Sequence, residues 1–226
     1  MINLIKRLIK KVLPFVFLEP EGERGIASMG HREYVGGMWD EIGSLQFNFL
    51  VAQGLKPQHY LLDIACGALR LGVKAIPYLD RGHYLGIEKE AGLVKAGLAQ
   101  ELDPAVREAK QPNIVVSDAF EFAKLNQQAD FAIAQSLFSH FPPPLITLCF
   151  QKLHPHLVDG GVFFATYFET SAKIRNPTVP HDHGYFAYTQ AEMCGFGEAN
   201  GYVANYIGHW NHPRQQVIVA YRKRAL

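Results

Sequence analysis

Residues 61–72 read LLDIACGALRLG, and this stretch decides the fold of the chain. An apolar run ends at Asp63, Gly67 follows, and a segment compatible with a helix closes on Gly72. A strand that turns through glycine into a helix is typical of the first unit of a sheet that binds a ligand at its strand ends. The neighbouring segments must therefore show what kind of sheet this is and which ligand suits it.

Short apolar segments alternate with segments compatible with helices along the chain. The predicted strands are YLLDIA (60–65), HYLGIE (83–88), NIVVSD (113–118), DFAIAQ (130–135) and GGVFFATYF (160–168). The predicted helices are ALRLGVKAIPYL (68–79), EAGLVKAGLAQEL (90–102), AFEFAKLN (119–126), PPPLITLCFQKLHPHL (142–157) and TQAEMCGFGEANG (189–201). This alternation predicts an α/β fold with a doubly wound, mostly parallel sheet that has helices on both faces.

The two ends of the chain depart from the alternation. VANYIGHW (203–210) and QQVIVAYRK (215–223) are joined only by four turn residues, so they are predicted to pair antiparallel. Before them, Thr189 and Glu192 form a capping-box pattern at a helix start. We predict residues 1–30 to be a basic amphipathic helix and a linker. Residues 31–226 are predicted to be one domain, with an N-terminal lid helix in HREYVGGMWDEIGSLQFNFLVAQG (31–54) and a substrate loop at 169–188.

Composition places the chain among globular proteins with a large core. Of its 226 residues 48% are hydrophobic, and 22 Lys and Arg against 21 Asp and Glu give a net charge of +1. A chain this close to neutral has no field to attract a polyanion, so a nucleic-acid substrate is disfavoured. Cys66, Cys149 and Cys194 are few and widely spaced, which favours free thiols in a reducing cytoplasm.

The basic charge is concentrated at the N-terminus. In residues 1–14, Lys6, Arg7, Lys10 and Lys11 lie opposite an apolar face, and Pro14 ends the pattern. Such a helix packs on its own domain, on a second subunit as in a homodimer, or weakly on an anionic membrane surface, and the sequence leaves these alternatives open. The apolar run after it is too short to span a bilayer and is followed by EPEGER, so no export signal is predicted.

The ends of the predicted strands are rich in acids. Asp63, Glu88 and Asp118 each lie at or just after the end of a strand, where ligands of parallel sheets bind. A pyrophosphate site needs G-x-G-x-x-G, but the equivalent positions are Ala65, Gly67 and Arg70. A Walker loop is also absent from the sequence. The site is therefore predicted to take a ligand without phosphates.

S-adenosylmethionine has this chemistry, because it carries a sulfonium, an ammonium group and a ribose diol. Glu88 lies about twenty residues after the glycine turn, where an acid accepts hydrogen bonds from ribose hydroxyls. Asp118 is predicted to accept from the adenine amino group, with Ala119 as a backbone donor and Phe120 as apolar cover. Ala65, Gly67 and Gln135 complete the predicted cofactor site. A left-handed backbone at Ala65 or Leu69 would be resisted, because neither residue is glycine.

These motifs resemble those of class I S-adenosylmethionine-dependent methyltransferases over roughly residues 30 to 222. The resemblance lies in Asp63-x-x-Cys66-Gly67, in the acids Glu88 and Asp118, and in DFAIAQS (130–136). WDEIG (39–43) and YIGHWNHPR (206–214) are similar to a small bacterial subgroup of unassigned substrate. The family implies a seven-stranded sheet with an antiparallel last strand, in agreement with the tail.

The methyl acceptor is predicted to lie above strands four and five and below the N-terminal lid. His140 and His183 are the predicted proton acceptors, and no metal site is predicted, since His181-Asp182-His183 lacks zinc-ligand spacing. The remaining predicted substrate-side residues are Tyr34, Trp39, Ser136, Glu169 and Tyr185.

The sequence thus predicts a cytoplasmic enzyme that transfers a methyl group from S-adenosylmethionine to an oxygen or nitrogen of a small molecule, leaving S-adenosylhomocysteine. Two other functions stay open at this point. One is a non-catalytic cofactor-binding or membrane-surface scaffold, suggested by the incomplete glycine pattern. The other is an NAD(P)-dependent oxidoreductase, against which the Arg70 mismatch argues. Pocket lining varies freely on such folds, so the acceptor molecule is not predicted.

Overall fold

The computed structural model describes residues 20–224. The amphipathic helix predicted for residues 1–14 lies outside this range. The described helices are α1 (Gly22–Met29), α2 (His31–Tyr34), α3 (Trp39–Ala52), α4 (Gly72–Tyr78), α5 (Ala91–Ala96), α6 (Pro104–Lys110), α7 (Pro143–Leu153) and α8 (Gln190–Glu198). The strands are β1 (Leu61–Ile64), β2 (Tyr84–Glu88), β3 (Asn113–Val116), β4 (Ala129–Ala134), β5 (Leu157–Glu169), β6 (Ala187–Tyr188), β7 (Tyr202–His209) and β8 (Val217–Lys223).

Seven of these strands form one sheet in the order β3-β2-β1-β4-β5-β8-β7, and the short β6 pairs parallel with the end of β5. Strands β1 to β5 are parallel to one another, whereas β8 runs antiparallel to both β5 and β7. The predicted doubly wound, mostly parallel sheet with an antiparallel last strand is confirmed. β1 and β4 lie side by side in its middle, with β2 on one flank and β5 on the other.

The strands are apolar throughout because the sheet is covered on both faces. Successive residues of β5 point into different cores: Phe163 belongs to the core that contains Leu62, and Phe164 to the core that contains Leu61. All four side chains are at most 1% exposed. Truncation of either phenylalanine to alanine is expected to cost about 3–5 kcal/mol. The two cores fix the sheet rigidly and leave its strand ends as the place for a ligand.

The structure corrects the predicted linker at residues 19–30, where α1 is found. Ile26 and Met29 lie one turn apart on this helix and pack against a small core that contains Tyr34 and Leu93. The Gly22 N–H also donates to the Tyr34 hydroxyl at 2.7 Å. The linker prediction was wrong because the segment has few apolar residues, and these two are enough when the domain supplies their partners.

Two helix predictions are also corrected. Residues 119–126 form only a short 3₁₀ turn at Phe122–Leu125, because Phe120 and Asn126 take left-handed backbone conformations with φ of 52° and 56°. The helix predicted for residues 142–157 is shorter: it begins at Pro143, where proline suits the first turn, and ends at Leu153. The capping box of Thr189 and Glu192 and the β7–β8 pairing are confirmed.

Candidate cofactor and substrate cavity

A cavity of about 980 Å³ opens at the carboxyl ends of β1, β2, β3 and β4. Its walls come from four parts of the chain: the strand-end loops, the N-terminal segment through α3, the 169–188 loop and the turn between β7 and β8. The predicted site residues that line it are Tyr34, Asp63, Ala65, Gly67, Glu88, Asp118, Gln135, Ser136, His140, His183 and Tyr185. Residues distant in sequence therefore meet at the edge where the sheet predicts a ligand.

The turn after β1 holds three alternate residues in the left-handed region. Ala65, Gly67 and Leu69 have φ of 59°, 56° and 69°. A left-handed conformation costs a non-glycine residue about 1–2 kcal/mol, so the first and third positions are strained. Leu69 is fully buried, and its packing offsets this cost. Its backbone also explains why the helix predicted from Ala68 begins only at Gly72.

Gly67, at the centre of this turn, lies close to a side chain of the N-terminal segment. A Cβ built there would lie 3.0 Å from Cγ1 of Val35, which belongs to the N-terminal segment. The turn is therefore covered by Val35, and a side chain at position 67 would have to displace Val35 by a few tenths of an ångström and adopt a left-handed backbone. Gly67 combines this close approach with an N–H that points at a carboxylate.

That carboxylate is Glu88, at the end of β2. Its Oε2 accepts from the Gly67 N–H at 2.9 Å, and its Oε1 accepts from the N–H groups of Lys89 and Glu90 at 2.9 and 3.0 Å. Glu88 is 6% exposed, and burial raises its pKa while the three backbone donors oppose that shift. A carboxylate has about four acceptor positions, so one remains for a ligand on the Oε2 side.

Asp63, at the end of β1, is the second buried acid of the cavity wall. Its Oδ2 accepts from the Tyr84 hydroxyl at 2.7 Å. Burial raises the pKa of Asp63 to about 7, against the opposing effect of that hydrogen bond. A positive charge placed in the cavity would therefore find a group that ionises near neutral pH.

The end of β3 only partly matches the prediction. Asp118 lines the cavity with an exposed side chain, and Phe120 lines it as the predicted apolar cover. Ala119 does not line it, and its N–H is donated to Ser117 Oγ at 3.2 Å. The turn at the left-handed Phe120 directs that N–H into the loop, and the role of Ala119 as a backbone donor stays a prediction.

A hydrogen-bond network closes the cavity behind the end of β4. Gln135 Nε2 lies 2.9 Å from Ser136 Oγ and 3.0 Å from His212 Nε2, and Gln216 Oε1 accepts from Thr166 Oγ1 at 2.7 Å. His212, Thr166 and Gln216 leave no local pattern in the sequence that would assign them to this network. They reach the end of β4 only through the fold, from the turn before β8 and from β5. The predicted positions of Gln135 and Ser136 at the cavity are observed.

His140 is buried at the cavity wall. Burial lowers its pKa to about 4, against opposing effects of Asp182 and of the Gly184 backbone. The imidazole is therefore neutral at physiological pH. Its Nδ1 is buried and has no hydrogen-bond partner. A buried polar atom without a partner costs about 1–3 kcal/mol, unless a ligand or water supplies one.

Two further buried atoms lack partners, the side-chain oxygens of Gln46 and Gln135. Both residues line the same cavity as His140. Across residues 20–224 these three are the buried side-chain nitrogen and oxygen atoms without a partner, and all three belong to cavity-lining residues. Neutral acceptors at these positions suit a ligand that carries hydroxyl or amine donors.

The N-terminal segment and the 169–188 loop meet over the cavity. The Tyr34 hydroxyl donates to Asp182 Oδ2, and Lys89 Nζ donates to Asp182 Oδ1 at 2.5 Å. The Asp182 N–H in turn donates to Glu21 Oε2 at 3.0 Å. Asp182 thus ties the lid segment, the end of β2 and the loop together. We call this set, Glu21, Tyr34, Lys89 and Asp182, the clamp.

Two arginines that the sequence analysis did not assign hold the lid segment from the other side. Arg70 Nη1 donates to the carbonyls of Val35 and Gly37 at 3.2 and 3.0 Å, and Arg214 donates to the Gly36 carbonyl. Burial lowers the pKa of Arg70 to about 10, so the guanidinium stays charged at neutral pH. These long-range pairs leave no local pattern in the sequence. Both cations line the cavity.

Trp39 and Glu169, predicted on the substrate side, do not line the cavity. Trp39 begins α3 and is 9% exposed, with the Arg32 guanidinium 5.0 Å from its ring centre. It anchors the lid segment to the domain in the small core that contains Ala68 and Leu93. Glu169 is exposed and accepts from the hydroxyls of Tyr167 and Tyr206 at 3.1 and 2.8 Å. At the end of β5 the neighbouring Phe168 lines the cavity instead, and the substrate-side roles of Trp39 and Glu169 stay predictions.

Between residues 20 and 224, no group of three or more His, Cys, Asp and Glu side chains is placed to hold a metal ion. In the same range no helix combines the length and apolar character that crossing a bilayer requires. The three cysteines are unpaired thiols in the structure.

Comparison with known proteins shows which fold this is. No protein-family model matches the sequence. Magnesium protoporphyrin IX methyltransferase from Synechocystis PCC 6803 with bound S-adenosylhomocysteine aligns with a TM-score of 0.64 and 13% identity over 98% of this chain and 99% of that chain. The sugar N-methyltransferase from Streptoalloteichus gives 0.63 and 14% over 93% and 96%. Human N-acetylserotonin methyltransferase with S-adenosylmethionine gives 0.65 and 13% over 88% and 58%. The chain has the Rossmann-like fold of S-adenosylmethionine-dependent methyltransferases.

Proposed function

We propose that this protein transfers a methyl group from S-adenosylmethionine to an oxygen or nitrogen of a small molecule. The observation that carries the proposal is the arrangement of Glu88 beside Gly67. A buried carboxylate fixed by three backbone donors keeps one acceptor position toward the cavity, next to a left-handed turn with no phosphate cradle. A ligand with a sugar diol and positive charge suits this wall better than a pyrophosphate.

The proposed cofactor residues follow the strand ends. Glu88 accepts from the ribose, Asp118 and Phe120 receive the adenine, and Asp63 faces the positively charged end. Ala65 and Gly67 supply backbone at the turn, and Gln135 separates the cofactor from the acceptor. The volume of about 980 Å³ is at the upper end for ligand pockets, which leaves room for a second molecule. The cofactor supplies a methyl group activated by a sulfonium.

The chain's own contribution to the transfer is alignment and proton acceptance. Gln46 and Gln135 offer acceptors that orient a hydroxyl or amine, and His140 Nδ1 is the leading acceptor for its proton. His183 is the second candidate. Its Nε2 lies 3.2 Å from the Pro20 carbonyl, so that nitrogen carries the hydrogen and Nδ1 is left to accept. Ser136, Tyr34 and Tyr185 complete the proposed acceptor side.

The location and assembly of the protein stay predictions: a cytoplasmic enzyme, acting alone or as a homodimer. Neither affects the chemistry of the cavity. Contact of residues 1–14 with a membrane surface is likewise a prediction that does not affect the chemistry of the cavity.

The proposal is tested by incubating the protein with methyl-deuterated S-adenosylmethionine and a cell extract. Mass spectrometry then identifies any molecule that gains one labelled methyl group. The wild-type protein is expected to produce such a molecule. His140→Asn is expected to lower the rate by about 10²–10⁴-fold, the usual contribution of a positioned proton acceptor, while binding S-adenosylhomocysteine as the wild type does.

Absence of labelled product together with absence of S-adenosylhomocysteine binding would overturn the proposal. Unchanged transfer by His140→Asn would instead remove His140 from its role, and His183→Asn would then be the variant to compare. Glu108→Gln is a suitable control, because Glu108 is exposed on α6 and does not line the cavity.

A further inference from the structure

The mouth of the cavity carries apolar side chains that face solvent. Ile174 and Tyr185 line the cavity and are 42% and 55% exposed, and Val179 on the same loop is 69% exposed. The Tyr185 ring stacks on Phe168, which also lines the cavity, with ring centres 4.7 Å apart. Large exposed apolar residues gathered around one opening mark an interaction surface.

The N-terminal segment reaches the domain at this same mouth. The carbonyl of Pro20, the first described residue, contacts His183, and Glu21 pairs with His181 and with the Asp182 N–H. The described part of the chain therefore begins beside the 169–188 loop. The sequence before Pro20 carries Lys6, Arg7, Lys10 and Lys11 among apolar residues.

The loop itself repeats this composition on a smaller scale. Lys173 and Arg175 flank Ile174, and all three are exposed. A surface that combines cations with exposed apolar side chains matches the headgroup region of an anionic bilayer, which offers negative charge above hydrocarbon.

We propose that the cavity mouth, lined by Ile174 and Tyr185 with Val179 exposed on the same loop, docks on an anionic phospholipid surface, to which the positive charge of the N-terminal sequence adds attraction. The methyl acceptor is then an amphiphile that enters the cavity from the bilayer. Its apolar part stays among the aromatic and aliphatic residues of the mouth, and its hydroxyl or amine reaches the unpartnered acceptors of Gln46, Gln135 and His140. This inference rests on the proposed function for the reaction, but the docking itself does not.

The docking is tested by flotation of the full chain with vesicles of phosphatidylcholine alone and with about one third phosphatidylglycerol. Binding to the anionic vesicles is expected to be at least tenfold stronger. Replacing the four N-terminal cations by glutamate should weaken it, by about fivefold for each cation that contacts the surface. The double variant Ile174→Asp, Val179→Asp should reduce binding by tenfold or more.

Val203→Asp is the matched control, because Val203 is 53% exposed on the edge strand β7 and does not line the cavity. Its variant is expected to bind vesicles as the wild type does. A second readout uses Val179→Trp, whose fluorescence should be quenched by brominated lipids, since Trp39 and Trp210 are 9% and 7% exposed.

Three results would overturn the docking proposal: no flotation of the full chain with anionic vesicles, equal loss in Val203→Asp, or a dimer in solution that the double variant abolishes. The last result would assign the mouth to a second copy of the chain. Affinity for S-adenosylhomocysteine, measured on the same variants, separates this failure from failure of the proposed function. The double variant is expected to keep that affinity.

Discussion

Replacing Glu88 by glutamine tests the cofactor site most sharply, because the change removes one acceptor and leaves the shape intact. The carboxylate accepts three backbone N–H groups through two oxygens. The amide has one oxygen, which serves Lys89 and Glu90, and its NH₂ group then faces the Gly67 N–H. An unsatisfied buried donor costs about 1–3 kcal/mol, so the free energy of unfolding should fall by that amount.

Glu88→Gln should also weaken cofactor binding, and this effect is separate from the loss of stability. Glu88→Gln replaces a charge-assisted acceptor of the ribose by a donor, which should cost about 1.5–3 kcal/mol, a ten- to hundredfold loss of affinity for S-adenosylhomocysteine. At a ligand concentration 100 times the wild-type Kd, ligand stabilises the wild type by about 2.7 kcal/mol. A hundredfold weaker variant would gain only about 0.4 kcal/mol.

Isothermal titration with S-adenosylhomocysteine and urea unfolding with and without it measure both effects. Glu108→Gln, exposed on α6 and outside the cavity, should match the wild type in both. If Glu88→Gln binds S-adenosylhomocysteine as tightly as the wild type, Glu88 does not bind the cofactor. A loss of stability without a loss of affinity would leave Glu88 as a purely structural support of the turn.

Three further predictions concern other parts of the cavity. Ala65→Gly should raise the free energy of unfolding by about 1 kcal/mol, because glycine relieves the left-handed backbone. The control Ala105→Gly in the right-handed helix α6 should lower it by up to about 1 kcal/mol. Urea unfolding measures both variants. Because Asp63 has a pKa of about 7 and ionises as pH rises, the affinity for cationic S-adenosylmethionine relative to S-adenosylhomocysteine should increase from about pH 6 to about pH 7.5. Asp63→Asn should abolish this increase in titration calorimetry, and a pH-independent ratio in the wild type would contradict it. Tyr34→Phe removes the hydroxyl that joins the lid to Asp182, so amide exchange in residues 20–37 should accelerate about tenfold, and unchanged exchange would show that the clamp contributes nothing.

The sheet could be predicted from the sequence because its strands are short apolar runs with polar ends. Such runs reflect burial on both faces, which is a local property of each segment. The same holds for Glu88 and Asp63, since the end of a parallel strand is where a ligand binds on any sheet of this kind. The first turn and its acids were therefore accessible from residues 61–72 and their spacing to the next strand.

The contacts that hold the predicted lid in place were not predictable, because they join distant parts of the chain. Arg70 meets carbonyls more than thirty residues away, and Arg214 meets the Gly36 carbonyl across almost the whole sequence. That Trp39 and Glu169 do not line the cavity was not predictable for the same reason: the direction of a side chain at the start of a helix or the end of a strand depends on packing. Helix α1 was missed because two apolar residues, Ile26 and Met29, give too weak a periodic signal.

The most direct test of the whole account is a crystal structure of the protein with S-adenosylhomocysteine. We expect a ribose hydroxyl on Glu88, the adenine beside Asp118 and Phe120, and the amino-acid end near Asp63 and the turn at Gly67. Density for the ligand elsewhere, or none in the cavity at saturating ligand, would contradict the assignment. Binding of a pyrophosphate-containing dinucleotide at Gly67 would do so as well.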